Sequence, residues 1–535
     1  MTTIFPGQGT VYQDAGIVGL NPFLSFTAAA TVSSPGAVHG TYVLEVDWNN
    51  DGDFSDANED CTADLLSVQT TLGRDFASQI AGDVSTGTLV AYMLNLTGKY
   101  STFNTSSPIY GSILPNRPVR LRTTAPGPYT LWQGFISRIE PDVQVGPYNT
   151  VRLYAVGGIE LLANATVTPE ASTGDLTGTL IGLVLDEAGW SATKRNIDAG
   201  NTTTGRWYLD DENALEAVRQ LKDTEAGFFY EDAEANLVFE NRYYRSLQAR
   251  STASQATFSD ASGASLPYSA IVQVDPIGQI FNRARAEVKN FTVEALAVLW
   301  TYEGSNPVIV GGPGSSQTFT ATFNSLYVDA WTTPVQGTDI TWLSNGYSGA
   351  ANTISVVKRA TEMDITIIIA SGIASTRWEF DLIQARGTAV VAADSTFVSA
   401  DNATSQTSYG VRSFPFPSTW AANINEAQAL CDYIVDAYGD ARPTLTLELV
   451  ANRSSAMLSQ CLTRRLSDRV TIVADNNAVL GINEDFFLES ISHVIDTGGL
   501  RHHTTMQFSP ASVGLSGPFW ILGTSELGVT TRLGF

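Results

Sequence analysis

The sequence has few basic residues, and this shortage argues against a large class of functions. Only 30 of the 535 residues are lysine or arginine, against 54 aspartates and glutamates, so the net charge is −24. A sequence-independent grip on nucleic acid requires cations against the phosphates, and this balance therefore argues against DNA binding. It equally disfavours docking on an anionic membrane surface.

Cysteines and targeting signals are also scarce. The three cysteines, Cys61, Cys431 and Cys461, lie far apart and form no Cys-x-x-Cys pair, so we expect neither a disulfide framework nor a cysteine zinc site. The first ten residues have no basic stretch and no apolar run, which predicts that a secretory signal is absent. Because the longest strongly apolar run, residues 365–370, has the length of a strand, we expect no stable membrane insertion.

Most catalytic signatures are missing as well. No lysine follows a phosphate-binding Gly-x-x-x-x-Gly, no Gly-x-Ser-x-Gly elbow occurs, and the four histidines lack metalloprotease spacing. Acidic residues are numerous enough for a glycosidase carboxylate pair, but nothing in the pattern singles out two of them. We therefore expect a protein that is not an enzyme and has no catalytic or cofactor-binding residues.

The chain is rich in segments with the residue pattern of β-strands. Hydrophobic residues make up 43% of it, enough to bury several cores. Short alternating segments between residues 40 and 160 predict an antiparallel barrel or sandwich. Helical spacing at 177–188 and 210–225, followed by a hairpin over 228–240, predicts a small α+β domain. Residues 300–400 are rich in threonine, valine and isoleucine and predict a β-sandwich insert.

An acidic stretch at residues 47–56 is the best local constellation. Oxygen ligands at its first, third and fifth positions, followed by Gly52 at the sharp turn, reproduce the first half of a calcium loop. The candidate metal ligands are Asp47, Asn49, Asp51 and Asp53.

One ligand of the calcium loop is missing from this pattern. The bidentate acid belongs at the twelfth position, which is Asn58, and Glu59 comes one residue later. The alternative, which the missing acid favours, is an acidic turn held by Asx hydrogen bonds that needs no ion. Calcium is therefore the only cofactor that the sequence suggests.

Four tryptophans, among them Trp300, lie between residues 300 and 400. Tryptophan is more often a core residue, so we favour a sandwich that packs against neighbouring proteins. The sharper alternative is a carbohydrate-binding module that contacts the host surface. Its candidate stacking residues are Trp331, Trp342 and Trp378.

A series of motifs follows in one order from about residue 40 to 535. Asn95, Gly98, Tyr100 and Ser101 form an Asn-x-x-Gly-x-Tyr-Ser motif, and Ser467 stands where the related Gly-Asp-Arg-Val turn has glycine. The motifs occupy residues 81–104, 107–119, 132–136, 214–232, 282–284, 384–390, 408–412, 467–470, 486–493 and 520–534. In this order they resemble the tail hub proteins, also called baseplate hub or minor tail proteins, of long-tailed bacteriophages and related tail-like particles.

The resemblance implies a mostly β, multi-domain fold with α+β parts. It comprises two tail-tube-like β-barrel domains, a small α+β domain and a β-sandwich insert. The implied division is an N-terminal extension (1–40), a first β-barrel domain (41–165), a small α+β domain (166–265), a second β-barrel domain with helices (266–300 and 405–510), the β-sandwich insert (301–404) and a C-terminal segment (511–535).

The resemblance also implies a place and partners. The chain is expected to be a homotrimer in the virion, at the distal end of the tail, made in the host cytoplasm. The implied partners are a hexameric distal tail protein, the C-terminus of the tape-measure protein, and tip, fibre or receptor-binding proteins for host attachment. DNA is expected to pass through the lumen without specific binding during genome ejection, and the net charge of −24 suggests a negative conduit.

Two other functions compete with this one. The first is a secreted or surface-displayed β-sandwich protein that binds or cleaves glycans, which the absent signal and the ordered motifs disfavour. The second is a hub fused to a cell-wall hydrolase, for which no stretch of the chain is left over.

Overall fold

We analysed a computed structural model of the chain, which describes residues 38–74, 84–142, 148–274, 280–304, 308–342, 352–371, 379–414, 420–475, 480–496 and 499–511. Strands form 44% and helices 18% of the described residues, in several sheets with separate cores. The expected mostly β, multi-domain fold is confirmed. The N-terminal extension and the C-terminal segment lie almost wholly outside the described residues.

The first part of the chain is a six-stranded antiparallel sheet. Along its strands buried side chains alternate with more exposed ones; in β4, for example, Val119 and Leu121 are buried and Arg120 and Arg122 are partly exposed. The strands are β1 (Thr41–Val46), β2 (Leu65–Gly73), β3 (Thr88–Leu94), β4 (Pro118–Ala125), β5 (Thr130–Asp142) and β6 (Thr150–Val156). They lie in the order β1-β4-β5-β6-β3-β2.

The next part is the predicted small α+β domain. Its elements are α1 (Ile159–Leu162), β7 (Thr166–Val167), β8 (Ser172–Thr173), α2 (Thr177–Glu187), β9 (Arg195–Ile197), β10 (Arg206–Trp207), β11 (Glu212–Asn213), α3 (Ala214–Glu225), β12 (Phe228–Glu231), β13 (Leu237–Glu240), α4 (Tyr244–Leu247) and α5 (Ala249–Thr252). Asn213 caps α3, because its side chain accepts the backbone N–H of Glu216. Helices α2 and α3 and strands β9, β12 and β13 contribute to one core around Trp207, Phe229 and Phe239.

The chain then moves between sheets. β14 (Thr257–Ser259) and β15 (Ala270–Val274) belong to the large sheet, whereas β16 (Arg283–Val288) belongs to a small separate one. The insert follows, with β17 (Phe291–Val293), β18 (Ala297–Thr301), β19 (Val308–Ile309), β20 (Ser316–Thr322), β21 (Tyr327–Thr332), β22 (Ile340–Trp342), β23 (Asn352–Lys358), β24 (Glu362–Ile369) and β25 (Glu379–Ala392).

The insert is a sandwich of two sheets. The long strand β25 pairs with β17, β18, β19, β21 and β22, and the second sheet has the order β20-β24-β23. Ile365, Ile367 and Ile369 alternate along β24 and fill the core between the sheets. The sandwich strands run from residue 291 to 392, so they begin and end earlier than the expected insert of 301–404.

The last part returns to the large sheet. Its elements are β26 (Thr396–Asp401), α6 (Ala403–Tyr409), β27 (Ser413–Phe414), α7 (Ile424–Ala437), β28 (Thr444–Val450), α8 (Ser455–Thr463), β29 (Arg469–Ala474), β30 (Ile482–Asp496) and β31 (Arg501–Pro510). β16 pairs with β26 and β27, and α7 packs on this small sheet through Leu430, Cys431 and Ile434. β16 falls within the range expected for the second barrel, but it lies in a separate three-stranded sheet.

The two six-stranded halves join in one twelve-stranded sheet. The first half meets the second where β2 pairs antiparallel with β30, from Ser67 opposite Asp496 to Gly73 opposite Ser490. From β30 the sheet continues through β31 and β28 to β15, with β29 and β14 beside β30. Residues of both halves share one core, in which Trp132 lies in the same cluster as Phe486 and Phe508.

Among the helices that the structure describes, none combines the length and the apolarity that a membrane crossing requires.

Candidate functional site

The acidic loop begins where β1 ends. Asp47 follows Val46 and is fully buried, and its backbone N–H donates to the carbonyl of Pro118 at 3.0 Å. Its carboxylate accepts the backbone N–H groups of Asn50 at 2.5 Å and Gly52 at 3.0 Å. Gly52 has a φ of +96°, a left-handed conformation that glycine adopts without strain. The turn is thus folded around the Asp47 carboxylate.

The same loop returns along the outer edge of β1. The backbone N–H of Val46 donates to the carbonyl of Glu59, and that of Cys61 donates to the carbonyl of Leu44, both at 2.9 Å. The indole of Trp48 donates to the carbonyl of Asn58 at 3.1 Å. These backbone bonds fix the position of Glu59 beside the end of β1.

Three carboxylates meet inside the loop. One oxygen from each of Asp47, Asp51 and Glu59 lies within 4.8 Å of the other two. Glu59 is only 1% exposed; its Oε2 accepts the backbone N–H of Asp56 at 2.9 Å, whereas its buried Oε1 has no hydrogen-bond partner. Burial raises the pKa of Glu59, and the negative charges of Asp47, Asp56 and Asp51 raise it further.

Of the four predicted metal ligands, the structure places two in the carboxylate cluster and two outside it. Asp47 and Asp51 belong to the carboxylate cluster, but the Asp53 side chain is exposed and accepts the backbone N–H of Ser55 at 2.8 Å. The amide of Asn49 donates to the carboxylates of Asp51 at 3.0 Å and Asp56 at 2.6 Å. The calcium-loop spacing did not identify Glu59 as a member of the cluster. The available signal was an acidic residue one place after the expected twelfth position.

A second charged centre is buried where three parts of the molecule meet. Glu489 on β30 is fully buried; it binds Nε of Arg74, just after β2, at 2.5 Å and Nη1 of Arg245, on α4, at 2.7 Å. Both guanidinium groups lie over the ring of Phe228, 4.0 and 4.1 Å from its centroid. Burial alone would raise the pKa of Glu489, but Arg245 and Arg74 outweigh it and hold that pKa well below its usual range.

A neighbouring network explains the residue that departs from the Gly-Asp-Arg-Val pattern. Ser467 has a φ of 66°, the conformation for which glycine is usually required. Its hydroxyl donates to Glu240 at 2.5 Å and accepts Nη2 of Arg245 at 3.0 Å, and Glu240 also accepts the hydroxyl of Tyr230 at 2.6 Å. The serine thus gains hydrogen bonds that glycine could not make.

Two more buried titratable groups flank a cavity of about 90 Å³ lined by Glu231, Arg464 and His493 among others. Glu231, at the end of β12, accepts the backbone N–H of Gly158 at 2.7 Å, and burial raises its pKa to about 8. The Nδ1 of His493 lies 2.9 Å from Nε2 of His502, and burial lowers the pKa of His493 to about 4. Both groups are therefore mainly uncharged at pH 7.

The candidate sugar-stacking residues differ in exposure. Trp331 is 3% exposed in the sandwich core and donates its indole N–H to the carbonyl of Arg359 at 2.8 Å, so it has no face free for a sugar. Trp331 lies on the buried face of β21, whereas its neighbours Ala330 and Thr332 are exposed, and this placement argues against a stacking role. Trp300 and Trp342 are partly buried against the same core, and Trp378 lies outside the described residues.

No family model matches the sequence, and no curated protein matches it. The fold is similar to a 43 kDa prophage tail protein from Shewanella oneidensis, with 10% identity, a TM-score of 0.44 and coverage of 88% of this chain and 98% of that one. It is also similar to a tail protein from Neisseria meningitidis, with 9% identity, a TM-score of 0.46 and coverage of 89% and 98%. A component of the E. coli type VI secretion system matches with 9% identity, a TM-score of 0.39 and coverage of 88% and 78%. No activity or partner of this chain follows from likeness at this level.

Proposed function

We propose that the chain is a structural protein of a bacteriophage tail or tail-like particle. In this role it is the tail hub at the distal end, a ring that joins the tail tube and distal tail protein to the tip or receptor-binding apparatus. The ring gates the passage of the tape-measure protein and DNA, and it performs no catalysis.

The twelve-stranded sheet is the observation that carries this proposal. One chain supplies two six-stranded halves joined edge to edge through β2 and β30, with a shared core. Three copies would therefore supply six such units, enough for a ring that continues a sixfold tube. A closed ring of identical copies needs the same head-to-tail contact at each junction, which is the ordinary way for cyclic assemblies to close.

A free strand edge supports the expected trimer. Within the described residues β15 pairs only with β28, and Val272 and Val274 on it are 52% and 46% exposed. An open edge with exposed valines promotes uncontrolled association unless a neighbour covers it. We propose that the next copy in the ring covers β15.

The motif behind the resemblance has a clear structural basis in the first half. Asn95 accepts the backbone N–H of Tyr100 at 3.1 Å and donates to the hydroxyl of Ser101 at 3.2 Å. Gly98 adopts a φ of +71°, and the buried Tyr100 donates to Asp64 at 2.6 Å. The motif therefore forms the turn after β3, which supports the relationship on which the proposal depends.

The remaining parts of the proposal concern the partners. The sandwich insert would pack against neighbouring tail proteins, the tape-measure C-terminus would end in the lumen, and tip, fibre or receptor-binding proteins would attach at the distal side. A net charge of −24 per chain fits a lumen through which DNA slides without specific binding.

Gold-labelled antibodies raised against the purified chain test the position directly. Applied to particles that contain the chain and viewed by electron microscopy, they should mark the tail end opposite the capsid. Antibody absorbed beforehand with the purified chain serves as the control and should leave the tails unmarked. Label along the tube, label on the capsid or particles that never carry the label would refute the proposed place.

A further inference from the structure

Among the described residues, no basic side chain pairs with the carboxylate cluster of the β1–β2 loop. In the part of the chain that the structure describes, no lysine or arginine lies within ion-pair distance of Asp47, Asp51 or Glu59. On the adjoining strand β4, Arg120 and Arg122 are both paired with Glu45, at 2.8 and 2.6 Å. Three acidic groups are thus concentrated at the end of β1, where hydrogen bonds from backbone N–H groups offset only part of their repulsion.

The carboxylate of Glu59 provides independent support for a ligand in the loop. Buried carboxylate oxygens are almost always hydrogen-bonded, yet Oε1 of this nearly fully buried residue has no partner. The backbone bonds from Val46 to Glu59 and from Cys61 to Leu44 hold the residue there. These bonds fix the backbone of Glu59 beside β1, and its side chain lies buried inside the loop.

The available donor atoms select the class of ligand. The cluster offers carboxylate oxygens, and the Asn49 side chain lies beside Asp51, a set of oxygen donors typical of hard cations. The thiol of the nearby Cys61 does not belong to the cluster, because it donates to the backbone carbonyl of Glu59 at 3.5 Å. Oxygens within 4.8 Å of one another can surround one calcium ion, whose ligands lie at about 2.3–2.6 Å. Magnesium gives up its water reluctantly and is seldom held by protein ligands alone, so calcium fits this loop better.

We infer that Asp47, Asp51 and Glu59 bind one calcium ion, which fastens the β1–β2 loop to the edge of the large sheet. Glu59 supplies the acidic ligand that the sequence pattern lacked at position twelve. Asn49 and Asp53 are not among the three carboxylate ligands, although Asn49 positions Asp51 by a hydrogen bond. Asp51 is exposed, so the ion can enter from solvent. The inference rests on this loop alone and is independent of the proposed tail function.

Terbium luminescence and thermal unfolding of the full chain test this assignment. Trp48 lies in the loop and can sensitise a bound terbium ion, which calcium should then displace and magnesium should displace far less effectively. Calcium at millimolar concentration should also raise the unfolding temperature of the wild type above its value in chelator. The variants are Asp51→Asn and Glu59→Gln, and Asp53→Asn makes the same charge change elsewhere in the loop.

Asp51→Asn and Glu59→Gln should each weaken calcium binding by at least about tenfold, while Asp53→Asn should bind like the wild type. In chelator the first two variants should unfold at or above the wild-type temperature, because each removes one of three repelling charges; calcium should reverse this order. A purely structural role for the carboxylates would give no such reversal. Absence of any calcium effect on the wild type, or an equal effect in Asp51→Asn, would overturn the assignment.

Discussion

Glu231 and Glu489 are both buried glutamates, but at pH 7 Glu231 is mainly protonated and neutral whereas Glu489 is ionised. Burial disfavours the carboxylate in both. Glu489 remains charged because Arg74 and Arg245 bind it directly. Glu231 accepts a backbone N–H from Gly158 and forms none of the described ion pairs, so its pKa rises to about 8.

Glu231 should make the stability of the protein fall with rising pH. Its folded pKa of about 8 exceeds its unfolded value of about 4.3, so the folded state retains a proton that the unfolded state loses between these values. Stability should decline by up to about 1.4 kcal/mol per pH unit in that window. Glu231→Gln removes this dependence, and its stability relative to wild type should be higher at pH 8.5 than at pH 5. Denaturant unfolding at the two pH values measures this, and an equal difference at both would contradict it.

At the candidate metal site, the sequence pattern could predict some residues and not others. Asp47 and Asp51 could be predicted because the spacing of a calcium loop is local. Glu59 could not be predicted from that template, because its place depends on backbone pairing with β1. Trp331 could not be assigned either, because the sequence pattern does not show which face of its strand is buried.

At the scale of the elements, alternation predicted where strands lie but not which strands pair. Strands occupy 41–46, 130–139 and 151–156, close to where the periodicity predicts them. Alternation could not predict the strand partners of β16, because the same alternating pattern would suit the large sheet or the small one. Its pairing with β26 and β27 depends on contacts more than 100 residues apart in the chain.

The Glu489 centre should hold three elements together. Glu489→Gln removes the charge that compensates Arg74 and Arg245, and breaking a buried ion pair in this way typically destabilises a protein by about 3–5 kcal/mol. Glu140→Gln breaks an exposed pair with Arg138 and should have little effect. Urea unfolding of the two variants provides the comparison. Equal midpoints for both variants would contradict a role for Glu489 at this junction.

At the scale of the whole molecule, the joined halves are the feature that the sequence could not supply. The ordered motifs suggested two barrel domains, but not that β2 and β30 would make one continuous sheet with one shared core. That union depends on strands more than 400 residues apart in the chain. Among the described strands, β15 ends the sheet with one edge unpaired, and the proposed ring contact would cover that edge.

The central claim is that copies of this chain form a ring, and the mass and image of the purified protein test it most directly. Light scattering should give about 170 kDa, three times 57.3 kDa, and negative-stain images should show a central hole. Lysine at both Val272 and Val274 should yield a folded monomer, whereas Val335→Lys, at a valine 54% exposed in the insert, should still form trimers. A wild-type protein that remains a compact monomer, or trimers that show no hole, would contradict the account.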